Sequence, residues 1–386
     1  MADGGLYGFQ IRAKEILDPN DPPPIGKNQL TVTTNVTIVV TDEDDLIPTF
    51  NRQYFEVSVP EDVGTDTPLP DLNIIVNDGD TSKNAEYDLV INTAESSANS
   101  EGVFTVYPPR GNGRTPVIIR VRDPQKLDHE AEEGRTFVLK VDAIDIVNRE
   151  VLSSAEVTVN AIDSNDNIPI FEQEAYEFYV KEDAESGDLI GSIYATDADS
   201  DKFGQVTYNL RGFGAERFRV NNLTGEIFVN GCGRQIQRAC LDYENQKTYS
   251  LIYSGTDGGG QVTTTGVTIN IEDVNDNLPR FEQNEYARAI DEGADHFEPP
   301  LIIKATDLDG PNQGGGKVYY EIKSINTDAT AFQIDNISGE ITMVQPVRSD
   351  LVEGGQFSIV IRATDGGSPP LHSDIQVRLC YNQLYV

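Results

Sequence analysis

The chain repeats itself, and nothing else in it narrows the choice of fold so far. Asp163-Ser164-Asn165-Asp166-Asn167-Ile168-Pro169-Ile170-Phe171 recurs 110 residues on as Asp273-Val274-Asn275-Asp276-Asn277-Leu278-Pro279-Arg280-Phe281. A frayed copy lies 121 residues earlier, Asp42-Glu43-Asp44-Asp45-Leu46-Ile47-Pro48-Thr49-Phe50. Other segments keep step: Asp78-Gly79-Asp80 with Asp197-Ala198-Asp199 and Asp307-Leu308-Asp309, Leu127-Asp128-His129-Glu130 with Leu241-Asp242-Tyr243-Glu244, and Phe218 to Ile227 with Phe332 to Ile341. A unit of this length is one ordinary domain, and 386 residues hold about three of them.

Within a unit the hydrophobic period is 2. Tyr176 to Val180, Val206 to Leu210 and Val267 to Ile271 alternate apolar and polar residues, as half-buried strands do. Gly, Pro, Asn and Asp cluster between such runs, and no segment has the period of an amphipathic helix. The expectation is all-β, with antiparallel sandwiches of about seven strands. Asp and Asn are poor strand formers and Pro169 and Pro279 cannot donate to a ladder, so strands must stop at the Asp-rich motif. That sets units at 49–168, 169–280 and 281–386, preceded by a partial unit at 1–48. In the partial unit Tyr7 to Glu15 and Leu30 to Val40 read as the two final strands. A two-stranded remnant is marginal alone, so the stretch is expected to be disordered or completed by another chain.

The recurring motifs are built from carboxylates and carboxamides. The chain carries 29 Lys and Arg against 64 Asp and Glu, a net charge of −35, which sets it against nucleic-acid partners and toward cations. Dense Asp, Glu and Asn oxygens without His or Cys are a hard-ligand set, suited to the six to eight oxygens Ca²⁺ takes and poorly suited to zinc or copper. An EF-hand is excluded by its own turn, since Ile168 and Leu278 stand where that loop needs Gly.

Three cysteines occur. Cys232 and Cys240 lie close in sequence and form either a local disulfide in an oxidising compartment or a pair of reduced thiols; Cys380 is left over. Three N-glycosylation triplets, beginning at Asn35, Asn222 and Asn336, add weak support for secretion. No window approaches a membrane-spanning length of apolar residues, and Met1 to Leu17 lacks the layout of a secretory signal, as expected of an excised, soluble piece.

The motifs together resemble tandem cadherin repeats: the linker motif as DSNDNIP and DVNDNLP, the LDRE-like motif as LDHE and LDYE, and the ATDxD motif at Ala195 to Asp199 and Ala305 to Asp309. The resemblance implies Greek-key, Ig-like sandwiches in an elongated rod, with about three Ca²⁺ at each complete junction. For the first complete junction it implies the ligands Glu61, Asp128, Glu130, Asp163, Asn165, Asp166, Asn167, Asp197, Asp199 and Asp257; for the second, Glu182, Asp242, Glu244, Asp273, Asn275, Asp276, Asn277, Asp307, Asp309 and Asp365. The first set carries eight carboxylates, and close like charges at an effective dielectric near 20 cost about 4 kcal/mol per pair before relaxation. Metal is needed to close such a joint.

Two departures from the pattern carry expectations. The earliest junction offers Asp42, Asp44, Asp45, Asp78, Asp80 and Asp145, but Leu46 stands in place of Asn, so fewer ions are expected there. The last unit keeps Glu292, whereas Ser349 to Glu353 replaces the LDRE-like motif and Leu379 to Gln383 stands where an acidic linker would begin, so no full cluster is expected at that end.

The resemblance further implies a calcium-dependent cell–cell adhesion or tethering ectodomain fragment at the extracellular side of the plasma membrane. Its partners would be other cadherin ectodomains, homophilic or heterophilic, and its parent a single-pass membrane protein. With no Trp in the chain, strand exchange anchored by a Trp side chain is unavailable, which favours the long, many-repeat cadherins. The alternative is an extracellular receptor module for a secreted protein or toxin, served by the insertion-like stretches Asp88 to Pro116 and Cys232 to Cys240. A carboxylate-pair hydrolase is disfavoured because one pocket would suffice, whereas these acids recur in every unit. His129, His296 and His372 sit in different motifs with no nucleophile beside them, so no enzyme is expected.

Overall fold

The computed structural model describes residues 5–16, 20, 30–231, 241–311, 316–326, 331–346 and 356–382. They fall into two compact units, Met1–Asn167 with Ala198–Gly204, and Ile168–Asp197 with Gln205–Val386. The described residues are strands and turns, with one four-residue α-helix, Glu132–Arg135, and three short 3-10 turns. None of the described helices is long and apolar enough to cross a membrane.

The first unit holds a hairpin and a sandwich. Leu6–Lys14 pairs antiparallel with Thr31–Val39 through nine residue pairs, from Leu6 opposite Val39 to Lys14 opposite Thr31. A run of β-branched residues such as Thr31-Val32-Thr33-Thr34 accounts for the extended backbone, and the two strands are those expected from the sequence. Both faces stay exposed, including Leu6, Tyr7, Phe9, Val32 and Ile38.

In the sandwich, Tyr54–Pro60, Glu86–Ile91, Arg110–Asn112, Thr136–Ile144 and Val151–Ile162 make one sheet, and Thr49–Phe50, Ile74–Asn77, Phe104–Tyr107 and Arg114–Val121 the other. Alternation decides which side chains turn inward: Phe55, Val57 and Val59 are buried between exposed neighbours, and Phe137, Leu139 and Val141 follow the same rule. Tyr87, Phe137 and Ile119 are fully enclosed between the sheets, each contributing about 1.5–3 kcal/mol by burial. The stretch Asp88 to Pro116, read from sequence as an insertion-like loop, is about half paired strand.

The second unit contains two further sandwiches. One has the four-stranded sheet of Ala175–Lys181, Val262–Glu272, Thr248–Thr256 and Thr207–Arg211, faced by Leu189–Ser192, Glu226–Val229 and Phe218–Val220. The other repeats this with Tyr286–Asp291, His372–Asn382, Gln356–Thr364 and Tyr319–Ile325, faced by Leu301–Ile302, Glu340–Met343 and Phe332–Ile334. Tyr253 with Ile193, Ile227 and Ile269 centres the first core, and Phe357 with Ile303, Ile341 and Val377 the second. Among the described residues each sandwich shows nine strand segments where about seven are expected. One reason is that the opening strand is split between sheets: Ile170–Phe171 pairs with Ala195–Thr196, and the chain then crosses to lay Ala175–Lys181 on Val262–Glu272.

One pairing decides where the acids gather. In every sandwich the opening strand lies parallel to the last: Tyr54–Pro60 on Val151–Ile162, Ala175–Lys181 on Val262–Glu272, and Tyr286–Asp291 on His372–Asn382. Parallel strands run out at the same end of a sheet. The residue after the first strand therefore meets the residue after the last, and the Glu61 N–H donates to Ile162 O at 3.2 Å and the Glu182 N–H to Glu272 O at 3.1 Å.

Candidate metal centres

That meeting of strand ends builds the acidic clusters. In the first unit Glu61, only 4 % exposed, accepts from Ser164 N–H at 2.8 Å through Oε1 and from His129 N–H through Oε2, so one carboxylate ties the first strand to both the linker and the LDHE turn. Glu61, Glu130 and Asp163 bring oxygens within 4.8 Å of one another, and so do Glu130, Asp166 and Asp199. Asn167 fixes the far side, donating to Asp199 Oδ1 from its backbone at 3.2 Å and from its carboxamide at 2.8 Å, and again to Asp166 Oδ1 at 2.8 Å. Asp128 stays exposed at the rim with Oδ1 taken by Ala131 N–H, and Asn165 is half-buried.

The second unit repeats the arrangement with acids from both of its sandwiches. Glu182 accepts from Tyr243 N–H at 2.7 Å and Val274 N–H at 2.8 Å. Glu182, Glu244 and Asp276 converge within 4.8 Å, as do Glu244, Asp273 and Asp309. Asn277 donates to Asp309 and Asp276, and Asn275 Nδ2 donates to Pro369 O at 2.8 Å and Asp365 Oδ2 at 3.3 Å. Asp307 Oδ1 accepts from Asp309 N–H at 3.0 Å, while Asp242 remains exposed with Asn245 N–H on its Oδ1. Asp197 and Asp257, in the same unit, also place oxygens within 4.8 Å of each other, and Asp257 Oδ1 is held by the N–H groups of Gly259 and Gln261 at 2.8 Å each.

Crowded acids without metal resist ionisation. Burial pushes Glu130 up to about 7, with the charges of Glu61 and Asp163 adding to it. Burial raises Glu244 to about 7 as well, with the charges of Glu182, Asp276 and Asp309 behind it. Asp166, Glu182, Asp273 and Asp307 move in the same direction, burial being the first cause in each.

The donor set fits a hard divalent cation. Glu130 Oε1, Asp163 Oδ1, Glu244 Oε1, Asp257 Oδ2, both carboxylate oxygens of Asp273, Asn275 Oδ1 and Asp307 Oδ2 are buried and accept no hydrogen bond. Buried acceptors left unmet cost free energy that a cation returns. Glycine at 310 lets the Asp273 carboxylate approach this closely, since a Cβ there would lie 2.3 Å from Asp273 Oδ2. Among the described residues nitrogen and sulfur ligands are absent from both clusters, and the His129 ring turns away to Ala161 O at 3.0 Å.

The earliest junction is thinner. Asp78 and Asp80 are buried, and burial raises Asp78. Asp42 faces them but is held low by Thr81 N–H, at 2.8 Å, and Asn84. Where Asn167 gives two hydrogen bonds to Asp199, Leu46 gives Asp80 only its backbone N–H, at 3.1 Å, and lays its side chain against Gly79. Asp44 and Asp45 are exposed, and Asp145 Oδ1 is occupied by the N–H groups of Val147 and Asn148. At the other end Glu292 is exposed, unlike Glu61 and Glu182, and strand continues through Leu379 to Asn382. Ser349 to Glu353, Gln383, Cys232 and Cys240 lie outside the described residues; Cys380 is a free, exposed thiol.

Residue patterns alone did not disclose the tyrosines behind these sites. Tyr208 Oη accepts from Ala195 N–H at 3.0 Å, and Tyr320 Oη from Ala305 N–H at 2.8 Å. Each hydroxyl pins the short strand that leads to Asp197 or Asp307, a role visible only as an unexceptional aromatic in an alternating run.

Sandwiches in tandem, the first two ending in a carboxylate cluster, define a class of repeated all-β module. The cadherin domain family matches residues 176–272 and 286–379. Cadherin-87A of Drosophila melanogaster is 28% identical over 94% of this chain and 22% of its own length, and human Cadherin-23 is 30% identical over 97% of this chain and 10% of its own. Among solved structures, mouse Cadherin-23 EC22-24 superposes with a TM-score of 0.68 at 27% identity, covering 88% of this chain and 99% of that one. The chain belongs to the cadherin family. It spans about a tenth to a fifth of the length of these two curated relatives.

Proposed function

We propose that the chain is a non-enzymatic, calcium-stiffened adhesion or tethering segment that works outside the cell, at the plasma membrane, with other cadherin ectodomains as partners. The observation that carries this reading is the second cluster. Glu244 and Asp273 from one sandwich and Asp309 from the next point oxygens at a common centre, and the oxygens of Glu244 and Asp273 left without a hydrogen bond have no use for one another.

Bound calcium would supply positive charge and a shared coordination sphere, about three ions at each complete junction with affinities of about 10⁻⁴ to 10⁻³ M. The chain's own residues do the positioning. Glu182 clamps the linker to the LDYE turn, Asn277 ties the linker to Asp309, and Asn275 reaches Asp365 and Pro369 of the following sandwich. Glu61 and Asn167 act likewise in the first unit. The earliest junction, with Leu46 in place of a carboxamide, holds fewer ions.

Small-angle scattering with and without EGTA tests the reading. The calcium-loaded chain should keep one large maximum dimension and the metal-free chain a broader, shorter distribution; identical curves would overturn it.

A further inference from the structure

We propose that the second sheet of the first sandwich carries a binding stripe for a sulfated polysaccharide. Its central strand, Arg114–Val121, buries Thr115, Val117, Ile119 and Val121 and turns Arg114, Pro116, Ile118 and Arg120 outward; Arg122 continues the alternation. Cross-strand pairing sets Tyr107 beside Ile118, Thr105 beside Arg120 and Asn77 beside Arg114. None of these face residues is acidic.

In a chain with 64 acids against 29 bases, three arginines along one face of a strand run against the overall charge. Arg110 and Arg149, on the other sheet, both pair with Asp88. Among the described residues Arg114, Arg120 and Arg122 make no ion pair, and Asp66, whose N–H bonds Val121 O near Arg122, pairs with none of them. The Arg120 Nε–H finds no acceptor, and its guanidinium lies over the Tyr107 ring, 5.1 Å from the ring centre. The corresponding strands elsewhere present Glu226 and Phe228, or Glu340 and Thr342.

Geometry selects a linear ligand. At ~3.3 Å per residue the stripe from Arg114 to Arg122 runs about 26 Å along one strand. Guanidinium forks match the paired oxygens of sulfate groups. A folded acidic protein would need a broad patch of about 800 Å² with an apolar centre, whereas here the apolar residues are Tyr107, Pro116 and Ile118 beside one line of charge.

The test is binding of a heparin oligosaccharide to the whole chain in calcium buffer, read by calorimetry and by retention on a heparin column. Wild type should be retained despite its net charge. Arg114→Ala, Arg120→Ala and Arg122→Ala combined should weaken binding at least about tenfold, with Arg→Lys at the same positions recovering part of it and Arg149→Ala changing nothing. If the triple variant misfolds by circular dichroism, Arg122→Ala alone should still lower the eluting salt. A wild-type chain that flows through, a triple variant that binds like wild type, or equal binding to polyglutamate would each overturn the proposal.

Discussion

Glu130 and Glu244 show how a single carboxyl records the state of its site. Each has its pKa lifted to about 7 by burial and neighbouring charge. In the unfolded chain it would ionise near 4.5. Between those values the folded state holds protons that the unfolded state has lost, so stability falls as pH rises through this window and the contribution is whole only below it. The expected outcome in EGTA is a melting temperature that declines between pH 4.5 and 7, with a shallower decline in the Glu130→Gln, Glu244→Gln double variant. Binding a cation expels the same protons, so calcium affinity should climb over that range, readable as proton release in calorimetry performed in two buffers. Gly310 gives a second expectation. Adding a methyl 2.3 Å from Asp273 Oδ2 must displace that carboxylate, and Gly310→Ala should weaken calcium binding about tenfold while leaving the metal-free melting curve nearly unchanged. The acids themselves were legible from their recurrence, whereas the need for Gly at 310 arises from a contact between residues 37 apart and leaves no local trace.

At the level of elements, hydroxyl pins and one glycine turn hold the acid-bearing strands in place. Tyr320→Phe removes the bond to Ala305 N–H and should cost about 1 kcal/mol, lowering the melting temperature by about 4–8 °C for a domain of this size. Calorimetry checks it, and the loss should be similar with and without calcium if the pin serves the strand and not the ions. Gly225 and Gly339 sit at φ of +71° and +70°, and a Cβ at either would meet the carbonyl oxygen of Ile193 or Ile303 at 2.1 Å. Replacing either with Ala should therefore destabilise its sandwich by more than the usual loss from strain alone. Strand existence was plain from alternation, but the division of Asp88 to Pro116 into paired strands was hidden, because Pro, Gly and Asn there suggest a loop until the partner strands are known.

For the molecule as a whole, the hairpin at Leu6–Lys14 and Thr31–Val39 contributes no residue to any of the three cores. Its ladder is complete, yet both faces meet solvent, and an isolated two-stranded sheet is marginal in water. Amide exchange there should finish within seconds, while Leu139, Tyr253 and Ile361 in the cores should stay protected for hours or longer. Protection of Phe9 or Val36 equal to that of the cores would contradict this. Periodicity of 2, the spacing of acid motifs and the proline stops were enough, read along the chain, to give all-β sandwiches in series, since those signals are local and recur, while the ligands were nominated by the resemblance to cadherin repeats. What only folding decided is which atoms meet: the parallel pairing of first and last strands brings Glu61 to Ser164 and Glu182 to Val274, and a parallel register between strands about a hundred residues apart is fixed by the packing of the whole core.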